Sequence, residues 1–228
     1  MAQGHNPFLT VAQYRDMVDL TDIEGITEAD IKPNTSLTDR NLSKADLKDV
    51  NLKNANLSNS KITYADLQGA DLTDAELENV NFTGTNLIGA DLAGADLAGA
   101  DLSGGVLHNT TLTAANLTKA TLAGADFYKA DLSKTKLRRA NCEDAQFNLT
   151  DFSKANLRQA SMAHSHLVGA NLTMAILDYT DLTGCDVRGM NIWGAKIHNV
   201  NCNESRTDGM TTLEHLKHRG AVRIAPSE

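Results

Sequence analysis

From Leu37 to Cys202 every fifth residue is apolar, giving 34 positions in one unbroken register. The series begins Leu42, Leu47, Leu52, Leu57, Ile62, Leu67 after its first member and runs on through Phe82, Phe127, Phe147, Phe152, Val187, Ile192 and Ile197. Two residues earlier sits a mostly small residue, as at Ala45, Ala55, Ala65, Ala70, Ala90, Ala95, Ala100 and Ala115. Neither standard element can bury such a set. On a helix a step of five rotates the side chain by about 140°, and on a strand an odd step swaps faces each time. A chain that instead turns by about 90° every five residues points all the apolar residues at one axis, as in a solenoid. The small residues then leave room for the chain to corner. Four repeats close a coil of about 20 residues, and coils stacked at the roughly 4.8 Å spacing of paired strands make about 8.5 coils in about 41 Å. Each coil contacts only its neighbours.

Reading every twentieth residue gives four interior columns. One runs Leu42, Ile62, Phe82, Leu102, Leu122, Cys142, Met162, Leu182, Cys202, and another Leu57, Leu77, Leu97, Leu117, Leu137, Leu157, Leu177, Ile197. Phe127, Phe147 and Phe152 fall in adjacent coils, so the core is expected to be widest there. With 4% aromatic residues and three prolines, the chain is not built around a conventional aromatic-filled core. The columns must supply the stability, at about 1.5 to 3 kcal/mol per buried Leu-sized side chain against the entropy of ordering.

The unit A-(D/N)-L-x-x, visible in GADLAGADLAGADL at residues 89–102, resembles the pentapeptide-repeat family. The resemblance covers residues 36–203 and implies an all-β fold, a right-handed quadrilateral β-helix. Handedness and four-sidedness come from the family, not from the spacing. Residues 1–35 are then an N-terminal cap with a short helix, 36–203 the repeat domain, and 204–228 a C-terminal helical cap and tail. Solenoid ends need covering because they expose unpaired edges. Thr10-Val11-Ala12-Gln13 has capping-box form and Tyr14, Met17 and Val18 follow at helical spacing, which predicts a helix over 11–19. Ala29-Asp30-Ile31 reads as one more repeat set out of frame, with Pro33 and Asn34 marking the slip. Asp208 or Thr211 is positioned to cap a helix through Lys217, with Leu213 and Leu216 inward and Gly220 stopping it.

Several motifs carry no chemistry in this context. Gly89, Gly94, Gly99, Gly104 and Gly105 recur with the repeat and open no helix, so they do not form a phosphate cradle. Asn-Leu-Ser and Asn-Leu-Thr triplets arise from the repeat itself. Cys142 and Cys202 share a column three coils apart, about 14 Å by the coil spacing and too far for a disulfide. Cys185 occupies a small-residue position, and all three are expected to be buried packing thiols. The pairs His164 with His166 and His215 with His218 lack a third ligand. No catalytic constellation, cofactor site or metal site is expected.

The net charge of −8 argues against direct nucleic-acid binding, which needs clustered cations. No apolar run approaches the roughly 18 residues of a membrane span, and residues 1–10 lack the pattern of a secretory signal, so a cytoplasmic protein without membrane partners is expected. Between Ile62 and Thr118 there is no Lys or Arg, while Asp66, Asp71, Asp74, Glu76, Glu78, Asp91, Asp96 and Asp101 are all acidic. That density, about one charge per 1.7 Å of axis, is that of duplex DNA. Asp71, Asp74, Glu76, Glu78, Asp91 and Asp96 lie on two adjoining sides. The competing explanation is that Asp or Asn before the central Leu holds the turn. Beyond this band the sign reverses at Lys119, Lys129, Lys134, Lys136, Arg138 and Arg139, which a uniform duplex mimic should not carry.

One outward column reads Ile88, His108, Tyr128, Asn148, Val168, flanked by Val106 and Leu149, where other repeats present Ser, Thr, Lys or Asp. A contiguous apolar patch marks an interface. Met174, Ile176, Tyr179 and Trp193 also point outward, and the C-terminal helix is expected to cover part of that group. The leading expectation is a non-catalytic scaffold whose partner-binding residues are Ile88, Val106, His108, Tyr128, Leu149 and Val168. The alternative, implied by the resemblance, is a DNA mimic that binds DNA gyrase or topoisomerase IV and gives quinolone or toxin resistance. The resemblance also implies a homodimer through the C-terminal region. Some such relatives carry projecting loops, and this chain has no insertion between Leu37 and Cys202.

Overall fold

The computed structural model describes residues 18–19 and 26–207. The chain winds so that every residue before a central apolar position pairs in parallel with the residue twenty further on, from Ser36 with Asn56 to Asp186 with Arg206. One coil is therefore twenty residues and four repeats, and the fold is a β-helix. All 34 central positions are buried, Leu37 to Cys202, in one continuous core. Phe127 and Phe147 stack at 5.1 Å between centroids, and Phe147 meets Phe152 edge-on at 5.1 Å, so the three rings fill adjacent layers of the core.

The repeat 71–75 shows why the unit is five residues long, because each of its amide N–H groups has a separate acceptor. Asp71 N–H donates backwards to Val50 O at 2.9 Å, and Leu72 N–H donates forwards to Asp91 O at 2.7 Å. Asp74 N–H donates forwards to Ala93 O at 2.9 Å, and Ala75 N–H closes a β-turn on Leu72 O at 3.1 Å. The remaining donor, Thr73 N–H, points outward and is held by Asp71 Oδ1 at 3.0 Å. No donor is orphaned, as burial of the backbone demands. The second residue after each central position has positive φ throughout, from Asp39 to Glu204, as does Asn34 ahead of the first of them. That left-handed residue lets the strand corner and resume in register.

A second device ties coils together inside the wall. Ser60, Thr85, Thr110, Thr150, Ser165 and Thr180, at small-residue positions, each donate a hydroxyl to a carbonyl 23 residues earlier at 2.6 to 2.8 Å. Cys185 Sγ stands in the same relation to Met162 O at 2.8 Å. A carbonyl has two lone pairs and can accept this bond beside its backbone bond.

The N-terminal end departs from expectation. Val18–Asp19, the last two residues of the expected helix, form a strand, β1, antiparallel to β2 at Asp46–Leu47. A strand answers the first coil's unpaired edge more directly than a helix, since it supplies the missing donors and acceptors in line. The rest of that expected helix and the C-terminal helix through Lys217 lie outside the described residues. Ile26 and Ile31 are buried five residues apart on either side of a 3-10 turn at Glu28–Asp30, and the regular coils begin after the slip at Pro33 and Asn34.

Candidate functional site

The apolar column assembles as its spacing requires. Gly89 N–H bonds His108 O, Asn109 N–H bonds Tyr128 O, Lys129 N–H bonds Asn148 O, and Leu149 N–H bonds Val168 O. Ile88, His108, Tyr128, Asn148 and Val168 therefore stack coil upon coil on one outward strip, and Val106 and Leu149 sit beside them on the same strip. Tyr128 is 38% exposed and Leu149 49%, whereas Ile88, Val106, His108 and Val168 are half-buried against their neighbours. The strip is a shallow, largely apolar surface with two projecting groups.

Its polar partners were not legible from the repeat. His108 meets the Tyr128 ring edge-on at 5.8 Å, and its Nε2 lies 2.8 Å from Asp126 Oδ2. That nitrogen is shut off from solvent, and its contact with the carboxylate does not have hydrogen-bond geometry. Lys129 Nζ stands 5.1 Å from the Tyr128 ring centroid, a cation over a π face. Asp126 Oδ1 meanwhile accepts Tyr128 N–H at 3.0 Å, fixing the backbone beneath the ring. Val106 replaces the usual Asp or Asn of the repeat and brings an apolar side chain where the coils on either side hold a turn acceptor, Asn86 and Asp126.

The acidic band has a different construction. Asp71, Asp91 and Asp96 each use Oδ1 to accept the amide of the residue two ahead, Thr73, Ala93 and Ala98, at 3.0, 2.9 and 3.1 Å. Those carboxylates are turn acceptors first, with one oxygen left outward. Asp74, Glu76 and Glu78 are not so engaged and are exposed, although Asn56 Nδ2 donates to Glu76 Oε2. The candidate acids thus divide into a structural set and a free set.

Two other outward groups stand out. Trp193 is 66% exposed with Met174 on the neighbouring coil, and Arg158 lies 5.8 Å from the Tyr179 ring, which also meets His198 edge-on at 5.6 Å. Tyr64, 65% exposed, was missed by sequence reasoning. Its ring lies over Gly84, where a Cβ would stand 2.5 Å from it, and the signal was an aromatic residue twenty positions before a glycine. The thiols sit as expected, free and buried at Cys142, Cys185 and Cys202. Burial pushes Cys142 far above the ordinary thiol range and raises Cys185 and Cys202 to about 12. Among the described residues no three His, Cys, Asp or Glu side chains are grouped to hold a metal ion, and no helix is long and apolar enough to cross a membrane.

A family model for pentapeptide repeats matches in eight copies over residues 41–79, 75–113, 115–153 and 150–189. Among solved structures, a trypsin-treated variant of QnrB1, a plasmid-mediated fluoroquinolone resistance protein, is 18% identical, with 82% of this chain and 96% of that chain covered and a TM-score of 0.64. HetL, a pentapeptide repeat protein involved in heterocyst differentiation regulation from the cyanobacterium Nostoc sp. strain PCC 7120, is 25% identical over 78% of this chain and 85% of its own, with a TM-score of 0.44. A pentapeptide repeat protein of the Arabidopsis thaliana thylakoid lumen is 31% identical over 44% of this chain and 70% of its own, with a TM-score of 0.43. No curated protein matches the chain.

Proposed function

The chain belongs to the pentapeptide-repeat family and is a right-handed β-helix, and from that premise we propose that it is a non-catalytic scaffold that docks a protein partner on the strip of Ile88, Val106, His108, Tyr128, Leu149 and Val168. The observation that carries this reading is the stacked column itself. It sets Ile88, His108, Tyr128 and Val168 along one strip, broken by Asn148 alone, where other repeats present Ser, Thr, Lys or Asp, and a patch of that kind marks an interface. Tyr128 is its anchor, amphipathic and braced by His108 and Lys129. Four turn-bearing repeats per coil give the rod a quadrilateral section, which makes the strip flat. Reduced, buried thiols suit a cytoplasmic protein.

The test is affinity capture from native extract with the wild-type protein and with Tyr128→Asp as baits, followed by mass spectrometry. The wild type should retain a partner that Tyr128→Asp loses by at least tenfold, with circular dichroism unchanged. Recovery of the same proteins by both baits would remove this strip from the mechanism.

The second reading is a DNA mimic directed at DNA gyrase or topoisomerase IV, favoured by Asp74, Glu76 and Glu78, which are exposed and hold no turn. Against it, Asp71, Asp91 and Asp96 have a turn to hold. Failure to inhibit supercoiling, together with failure to relieve quinolone poisoning of gyrase, would dismiss it.

A further inference from the structure

Segments 74–79 and 134–139 read DAELEN and KTKLRR. They are sixty residues apart, which is three whole coils, so each residue of one lies directly along the axis from its counterpart in the other. Both have the same pattern of burial, with the first, third, fifth and sixth residues exposed and the second and fourth buried. The pairing Glu76, Asp96, Asn116, Lys136 fixes one column of this strip. The amides of Asn79, Gly99 and Lys119, bonded to Ala98, Thr118 and Arg138 carbonyls, fix the next. At three of the four outward positions the sign is inverted: Asp74 answers Lys134, Glu76 answers Lys136, and Glu78 answers Arg138, while the neutral Asn79 answers Arg139. None of these six side chains forms an ion pair within the chain among the described residues.

We propose that this strip is a docking surface for a second copy of the chain, packed face to face and antiparallel. The offset of three coils decides the geometry. A two-fold axis lying across the strip, between the coil of Asp96 and the coil of Asn116, reverses direction along the rod and keeps lateral position. It sets Asp74 against the partner copy's Lys134, Glu76 against Lys136 and Glu78 against Arg138, and by symmetry the reverse. The same axis puts Asn79 opposite Arg139 and Asp96 opposite Asn116. This is an isologous contact, in which one patch serves both copies and the assembly closes at two. Between the charged segments the outward residues are mostly short, Gly94, Ala98, Gly99, Ala114 and Thr118, and the one long side chain in the outer column, Lys119, stands opposite the partner copy's Gly99, which leaves it room. A parallel arrangement would set like charges together and is disfavoured. The contact is narrow and polar, so it makes a salt-sensitive, reversible dimer, not an obligate one. It uses neither the apolar strip nor residues 208–228.

Sedimentation velocity over a concentration series tests it. The wild type should move towards dimer at about 0.01 M salt and return to monomer at about 1 M, where the screening length has fallen from about 30 Å to about 3 Å. Lys136→Glu with Arg138→Glu sets like charge against the partner copy's Glu76 and Glu78, and Glu76→Lys with Glu78→Lys sets like charge against its Lys136 and Arg138. Each double variant should be monomeric alone at low salt, and an equimolar mixture should recover a heterodimer. Circular dichroism melts verify that both remain folded, since all four residues point outward. A wild type that stays monomeric at low salt overturns the proposal. So does a dimer that persists in both variants, which would place association elsewhere, or a mixture of folded variants that stays monomeric.

Discussion

Coils 84–104 and coils 114–164 share one core and one hydrogen-bond scheme but corner differently. In the first stretch every left-handed position is glycine, at 84, 89, 94, 99 and 104, with φ between 63° and 72°. In the second the same positions hold Ala114, Lys119, Lys129, Lys134, Arg139, Leu149, Lys154, Gln159 and His164, interrupted by Gly124 and Asp144, with those nine side chains at φ between 58° and 62°. An L side chain in this region costs roughly 1 to 2 kcal/mol, which glycine avoids at the expense of a more flexible unfolded chain. The second stretch carries that strain beside the three-phenylalanine part of the core. Corners are where side chains project furthest from the backbone ladder. A chain that placed only glycine there would have no Lys129 over Tyr128 and no Lys134 or Arg139 on the outer surface. The two stretches therefore separate what the fold needs at a corner from what an outer surface needs.

The largest effect should come from the boundary between them. Leu117 is fully buried on the axis, so Leu117→Asp places a charge with no polar partner and should cost about 3 to 5 kcal/mol or prevent folding. Thr118→Asp, one residue on and outward, should shift stability by no more than about 0.5 kcal/mol. Thermal melts followed by circular dichroism compare the two, and equal midpoints would refute the inside and outside assignment of both stretches.

A smaller effect tests the corners themselves. Lys134→Gly relieves a side chain at φ 61° and should stabilise by up to about 1 kcal/mol, net of the entropy glycine adds to the unfolded state. Gly94→Ala at φ 72° should destabilise by about 1 kcal/mol, since the new methyl displaces only the Asp74 carboxylate, 2.3 Å from its position, which is free to swing out. Urea titrations that show the same sign for both would mean that the two stretches do not differ in corner strain.

The smallest effect lies outside both stretches, at Asp186, and depends on pH. The Arg188 side chain, Nε to Oδ1 at 2.8 Å and Nη2 to Oδ2 at 2.7 Å, holds the Asp186 carboxyl below its ordinary range despite partial burial. A carboxylate so depressed contributes stability above its unfolded value, near 3.9, and loses it as pH falls through the folded value. Asp186→Asn should therefore cost less than about 1 kcal/mol at pH 7, since the Arg188 side chain is partly in solvent, and progressively less below about pH 4. Melts that show the same deficit at pH 7 and pH 3 would exclude this ion pair as the cause.

The core was readable because a period of five, held for 34 repeats, leaves a chain only one way to bury its apolar residues. That argument also placed the apolar column of Ile88 to Val168 on one strip and kept the three cysteines inside. The identity of the fold's corners was half-visible in Gly, Asn and Asp at the left-handed position. Lys, Leu and Tyr at that position gave no such sign, because propensity yields to the hydrogen bonds between coils. The role of the acids was not readable either, since Asp71 and Glu76 look alike as charges. Only the structure separates them: the shorter side chain reaches back to its own turn at Thr73, and the longer one projects. The N-terminal strand was hidden for a related reason, because Val18–Asp19 takes its conformation from the open edge at Asp46–Leu47 and not from its own helical spacing. Sequence alone determined the register and the interior of this protein, both local consequences of one repeat. Tertiary stacking decided which outward groups are spent within the chain and which, across three coils, remain free to meet another surface.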